Sequence, residues 1–298
     1  MTRHIEAKIP YKTQQHLEWQ RLCFALAERC RGEPAKERAL SLEPHQIMRT
    51  ALKQLERVDE ARGALDAEMT PPLSALEDLS AMILRTQRGG VLAPEELSAL
   101  GRMIDSSTRS KKFLTSLESE YPELFEIGIG LISKPSLAAE IQSSFNAQGQ
   151  VSDFASGDLA ELRRRVDSMH GQLKDRIDGL LKDESVTGML QDDFYTLRED
   201  RYVLPVKSGH KRHMEGIVHG WSSSGATVFI EPKVVVDANN RLRMAQAEEK
   251  QEVHRILTKL SRKVAAIADD LQVTQEALIE LDYLFACAQL SKDLTCTS

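Results

Sequence analysis

The side chains best suited to chemistry crowd into one stretch of this chain. Arg198, Arg201, Lys207, Lys211 and Arg212 lie there together with His210 and His213, diluted only by Glu199 and Asp200. Cations at that density suit the phosphate backbone of a nucleic acid, where they supply affinity but little sequence information. An ordinary solvated loop would have the same composition. Ser222-Ser223-Ser224-Gly225 follows, a polar turn whose hydroxyls can bond phosphate or the turn's own backbone. Ser222 and Ser223 therefore stand as candidates beside the basic residues. Tyr202 and Trp221 could stack on a base, although packing against their own surroundings is the simpler expectation.

Three further constellations are set aside. His210 and His213 have an i, i+3 spacing, but the two cations between them oppose a bound metal. Asp192, Asp193, Glu199 and Asp200 flank a helix-to-strand junction, whereas a metal-dependent nuclease needs carboxylates converging on a rigid frame. Ser222, His219 and Glu231 lack the strand-turn-helix elbow and oxyanion hole of a hydrolase. No catalytic residue, metal ligand or cofactor is expected in this chain. Cys23, Cys30, Cys287 and Cys296 form no CxxC pair, and Cys23 and Cys30 read as buried thiols on a helix.

The candidate residues sit in the one β-rich segment of a helical chain. Tyr202–Lys207, Glu215–His219 and Ala226–Ile230 read as strands, with Pro205 suited to an edge and Phe229 to the filling of a small core. Gly209 and Gly225 fall in the connections, where positive φ is expected. Upstream, Leu159, Leu162, Val166, Met169, Leu173, Ile177 and Leu180 recur at helical spacing on one face. Downstream, Val253, Leu257, Leu260, Val264, Ile267, Leu271, Leu278, Leu281 and Phe285 do the same, with Thr274 in the one polar gap and no Gly or Pro after Pro232. A single helix from about Asn240 to Ser291, capped by Asn239 and Asn240, would run roughly 75 Å. The simplest partner for it is the upstream helix, returning antiparallel through the β segment.

The expected fold is mainly α: a helical core body over 1–150, a long antiparallel coiled-coil arm over 151–193 and 240–298, and a β tip over 194–239. In the body one helix carries Leu17, Leu22, Phe24, Ala25 and Leu26 and ends at Gly32 and Pro34, before a boundary near Pro44. A second, from about His45 to Ala67, presents Met48, Leu52, Leu55, Val58 and Leu65. Shorter helices follow around Leu76–Thr86, Pro94–Ile104, Ser107–Glu120, Leu124–Ile132 and Ser136–Phe145. The net charge of −6 requires any polyanion contact to be local. The first residues carry no signal-peptide pattern and no segment is long and apolar enough for a membrane span, so a cytoplasmic protein with no membrane partner is expected.

Four motifs together resemble one family. Arg198–Lys207 (RxxRYVLPVK), Gly216–Pro232 (GIVHGWSSSGATVFIEP), Val234–Leu242 (VVVDANNRL) and Ala247–Leu257 (AEEKQEVHRIL) are similar to the bacterial MutS paralogues known as endonuclease MutS-two. Glu77–Leu100 and Val151–Val166 look like the helical core of the same family. The resemblance implies core, lever and clamp domains, and a clamp that contacts DNA, branched forms included, or ribosomal RNA. It also implies homodimers that suppress recombination or act on stalled ribosomes. ATP, Mg and a Smr nuclease belong to further domains of that family. No GxxxxGK[ST] loop occurs in these 298 residues, so the chain looks like the N-terminal piece of a longer protein, with no ATP binding of its own. Phe229-Ile230-Glu231 spells the mismatch-reading signature of other MutS proteins, but its place in a tip strand makes that a coincidence. A purely structural reading, with the arm as a dimerisation module and no nucleic-acid contact, remains the alternative.

Overall fold

The computed structural model describes residues 11–296 except 44 and 46, so the expected boundary at Pro44 lies outside the described residues. The elements are α1 (Tyr11–His16), α2 (Trp19–Ala27), α3 (Glu33–Leu40), α4 (Met48–Asp66), α5 (Ser80–Gln87), α6 (Pro94–Thr115), α7 (Pro122–Ile129) and α8 (Pro135–Ser143). They continue as α9 (Gly157–Leu181), α10 (Glu184–Thr187), β1 (Thr196–Arg198), β2 (Arg201–Lys207), β3 (Gly216–Trp221), β4 (Thr227–Pro232), α11 (Lys233–Ala265) and α12 (Ala268–Asp293). The fold is mainly helical with one small antiparallel sheet, as expected. Two compact units arise: Met1–Val151 with Leu257–Ser298, and Ser152–Ile256.

In the first unit α12 is the central element. It packs on α2, α3, α4, α5, α6 and α7, and Leu271, Leu278, Leu281, Leu284 and Ala288 are fully buried. Polar residues of α12 then satisfy backbone groups of the segments around it, as buried polar groups must. Thr274, the expected gap in the stripe, accepts from the Ile132 amide (3.2 Å) and donates to the Gly130 carbonyl (3.2 Å). Gln275 accepts from the Leu79 amide (3.0 Å) at the start of α5. Asp282 accepts from the amides of Arg31 and Gly32 (2.9 Å to Gly32) at the start of α3. Burial holds the Asp282 carboxyl above the usual carboxylate range, offset in part by those amides.

Several expectations change here. The single helix from Asn240 to Ser291 is two, broken at Ala266 and Ile267. No Gly or Pro marks that break. Beyond it α12 is buried on most of its circumference, not along a narrow seam. Pro34 opens α3 in its first turn, a position where its missing N–H costs nothing. Ser107–Glu120 is no separate helix; α6 runs through to Thr115. On α4 the buried residues are Ala61 and Ala64, whereas Met48, Leu52 and Leu55 are exposed. Small side chains permit the close approach of helices, which an apolarity count does not register.

The second unit holds α9, α10, the sheet and most of α11. Positions fall along α11 as they rise along α9: Ser156 bonds Glu252 (2.7 Å), Arg163 bonds Glu249 (3.0 Å), and His170 meets Gln246 (3.2 Å). The two helices therefore run antiparallel. Leu159, Val166, Leu173 and Ile177 of the expected stripe are buried. The sheet has the order β1-β2-β4-β3, all neighbours antiparallel. Leu204, Val206, Val228 and Ile230 join Val166, Leu173, Ile177, Leu190, Val235 and Leu242 in one core. Phe229 does not fill it. That ring is half-buried beneath the Arg198 guanidinium, 4.2 Å from the ring centroid.

β1 and its hairpin were not expected. Glu199 and Asp200 turn it with φ of 50° and 60°, the two-residue geometry usually announced by Asn-Gly or Asp-Gly. Pro205 lies on an interior strand, not an edge. It pairs with Phe229 on one side and accepts from the Gln191 amide (2.8 Å) on the other, opposite chain that precedes β1. Gly209 has no positive φ, whereas Gly225 does (70°).

Burial pushes the thiol of Cys30 up to about 12 and that of Cys287 up to about 11, and raises Cys23 as well. Cys296 is exposed. Since the thiolate is the reactive form, Ellman's reagent at pH 8 is expected to titrate one thiol of the native protein rapidly. The remaining three should react only after unfolding in guanidinium. A Cβ at Gly216 would meet the Glu231 carbonyl oxygen at 2.2 Å, whereas one at Gly209 meets nothing within 4 Å. Gly216→Ala is expected to cost about 1–3 kcal/mol and Gly209→Ala to be nearly neutral, read as urea midpoints.

Candidate nucleic-acid interface

The basic residues of the tip divide into those engaged inside the fold and those left in water. Glu231, near the end of β4, is fully buried. A buried carboxylate is tolerated only when its oxygens are bonded and its charge is opposed. Arg201 supplies the charge from β2, Nη1 to Oε1 at 2.7 Å. Asn239 donates to the same oxygen at 2.8 Å, and His219 of β3 donates from Nε2 to Oε2 at 2.7 Å. Arg201 is completed by Asn240 at 2.7 Å. Three strands and α11 thus meet at one carboxylate.

Neither Asn239 nor Asn240 caps a helix. α11 begins at Lys233, directly after β4, so both lie inside it. Asn239 is fully buried and closes a two-way bond with the backbone of Tyr202, accepting from its amide (3.1 Å) and donating to its carbonyl (3.2 Å). The amide side chain thereby mimics a neighbouring strand at the margin of β2. Tyr202 is buried, its hydroxyl 3.0 Å from His170 Nδ1 and its ring against Tyr195. It is not available to a base. Burial also pushes the Tyr202 phenol up.

The remaining cations are exposed. Lys207 ends β2; His210, Lys211, Arg212 and His213 form the connection to β3, which opens with a short 3-10 turn at Ser208–His210. The rings of His210 and His213 lie 5.7 Å apart, and Lys211 Nζ stands 4.9 Å from the ring centroid of Trp221. Arg198 is also exposed, at the end of β1. Glu215, the acid beside this loop, is engaged by Lys233 at 3.1 Å. Lys207 Nζ donates to the Gly188 carbonyl at 3.4 Å, and among the described residues no carboxylate pairs with the cations of the Lys207–His213 segment.

The serines are mostly structural. Ser222 accepts from the Thr227 amide at 3.1 Å, and its own amide donates to the Thr227 carbonyl at 2.9 Å. Its hydroxyl closes the β3–β4 turn. Ser223 is exposed. His219 and Glu231 do meet, but Ser222 points its hydrogen bonds at Thr227 and Ser224, so no nucleophile is activated. Asp192, Asp193, Glu199 and Asp200 are all exposed.

Sequence reasoning missed that Arg201 is committed internally and that Trp221 is not. A signal for the first existed: Glu231 falls in a strand where its neighbours Val228 and Ile230 are apolar, and an acid there needs a cation. No local pattern identifies which of the nearby cations it is.

Known proteins similar to this chain are named Endonuclease MutS2. It is 35% identical to that of Pelotomaculum thermopropionicum over 283 residues, 95% of this chain and 36% of the relative. The identity is 36% to that of Geobacillus thermodenitrificans, over 93% of this chain and 36% of the relative. It is 37% to that of Symbiobacterium thermophilum, over 96% of this chain and 36% of the relative. No family model matches. The chain spans about 36% of the length of these curated relatives. Over nearly all of its own length it is a MutS2-like sequence. Among the described residues no helix is long and apolar enough to cross a membrane.

Exchanging Glu231 for Gln keeps the shape but leaves Arg201 facing an uncharged partner. Breaking a buried pair in this way typically costs about 3 kcal/mol or more, so Glu231→Gln is expected to lower the urea midpoint markedly. Lys211→Ala should move it by less than about 0.5 kcal/mol.

Proposed function

Taking the MutS2-like sequence as the premise, we propose that this chain is the core, lever and clamp part of a MutS2-type protein, with the sheet as the clamp that touches nucleic acid. The observation that carries the reading is the division at Glu231: Arg201 is absorbed by the buried carboxylate, while Lys207 at the end of β2 and His210, Lys211, Arg212 and His213 on the connection after it are exposed. Arg198 and Ser223 flank this set. Such a surface fits the phosphate backbone of DNA or of ribosomal RNA, and it reads charge, not sequence. The lever is the antiparallel pair of α9 and α11, and the core is the unit that contains α12. A cytoplasmic homodimer in which an ATPase moves the clamp is the assembly this reading calls for.

This reading assigns ATP and Mg to domains other than the core, lever and clamp. Gly89 and Gly90 close a turn between α5 and α6, with φ of 80° at Gly89, and Val91-Leu92 follows directly, not a Lys-Ser or Lys-Thr step. Consecutive amides and a lysine aimed at phosphate are what nucleotide binding would need.

A second reading keeps the helices and discards the nucleic acid. The ion pairs of Arg163 with Glu249 and Arg165 with Glu248 align α9 on α11, and helices joined in this way could serve association alone. Salt separates the two readings. Affinity for a DNA duplex, measured across a range of salt concentrations, is expected to fall linearly in log–log form. Lys207→Glu, Lys211→Glu and Arg212→Glu together should weaken binding at least tenfold and flatten the slope by about 2–3, at roughly 0.9 for each phosphate no longer neutralised. Unchanged affinity and slope would leave association as the function.

A further inference from the structure

Trp221 has a placement that phosphate binding does not account for. It closes β3, the edge strand next to β4, and half of it is exposed to water (50%). The β3–β4 register shifts between Val218 and Trp221: Val218 faces Ile230 and Trp221 faces Val228, so β3 carries one residue more than its partner over that interval. A bulge of this kind re-aims the side chain beyond it. Gly220, inside the bulge, takes φ of 138°, which other residues rarely adopt. On the far side, the Ser222–Thr227 pair and Gly225 at φ 70° fix the turn. Both flanks of the tryptophan are therefore held by specific backbone geometry, yet its ring is not used to fill the core.

What stands over the ring is charge. Lys211 Nζ lies over it, 4.9 Å from its centroid, while Lys207 at the end of β2 and Arg212 on the following connection are exposed. A half-exposed indole with a cation over its ring and further exposed cations on the same tip is the chemistry of a nucleotide out of its stack: the ring face turned away from Lys211 takes the base, and the cations take the flanking phosphates. In a duplex the base faces are covered by their neighbours, so an indole on a strand edge has nothing to stack upon. We propose that the tip recognises unpaired nucleotides, with Trp221 as the stacking platform and Lys211, Lys207 and Arg212 as the phosphate contacts. The inference rests on the nucleic-acid reading above and narrows it from any polyanion to strands with exposed bases.

The chain has two tryptophans, so Trp19→Phe leaves Trp221 as the only indole. Fluorescence of that variant is to be followed during titration with oligo-dT, with oligo-U and with a DNA duplex of equal length. Quenching by either single strand, and little by the duplex, is the expected result; the stronger of the two single strands tells DNA from RNA. Trp221→Ala is expected to lower single-strand affinity about tenfold, within the range for removal of a base–aromatic stack, and to leave duplex affinity within about twofold. Trp221→Phe should recover most of that affinity. Absent quenching, together with unchanged single-strand affinity in Trp221→Ala, overturns the inference. The charge-reversed triple variant then tells which reading has failed: if it still loses binding, only the stacking claim is removed, and if it does not, the nucleic-acid reading is removed as well.

Discussion

A carboxylate with no access to water organises the β tip. Glu231 is bonded by Arg201 from β2, His219 from β3 and Asn239 from α11, and each of those partners is placed by a different element. Removing any of them would leave a buried charge or a buried dipole uncompensated, which costs more than the interaction itself gains. The backbone has adapted to the same point: at Gly216 the β4 carbonyl of Glu231 comes too close for any side chain. The arrangement also fixes the character of the surface. With Arg201 drawn inward, the outward positive charge is concentrated on the connection between β2 and β3, beside Trp221.

A comparable principle operates in the other unit, on backbone amides instead of a cation. Thr274, Gln275 and Asp282 sit on one helix and bond the amides of Ile132, Leu79, and Arg31 with Gly32. These backbone groups belong to helix ends and their connections, where intrahelical partners run out. α12 therefore does two jobs at once. Its apolar residues supply the core, and its buried polar residues anchor the segments packed around it. The helix that takes this part is separate from α11, which ends at Ala265.

The helical stripe of α9 and the strands β2 and β4 were legible because each is a matter of period: apolar residues three or four apart, or alternating. The same method misjudged α4, where Met48, Leu52 and Leu55 have the period but not the burial, and where Ala61 and Ala64 make the close approach instead. It also missed β1, whose Glu199-Asp200 turn holds two positive φ angles in residues that seldom adopt them. Of the candidate site, the sequence located the segment and the tertiary structure sorted its members. Arg198, Lys207, Lys211 and Arg212 have the same local credentials as Arg201.

What the amino-acid order determined alone was class and kinship: a mostly helical chain, a β insertion with its cations, and motifs long enough to mark a MutS2-like sequence. Those are properties of residues and their near neighbours, so they survive without coordinates. Only the folded structure decided that Arg201 serves Glu231, that Asn239 braces Tyr202 from within a helix, and that Trp221 stays in water. Each of these depends on two groups far apart in the chain meeting where water is excluded or admitted, and no spacing along the sequence carries that information.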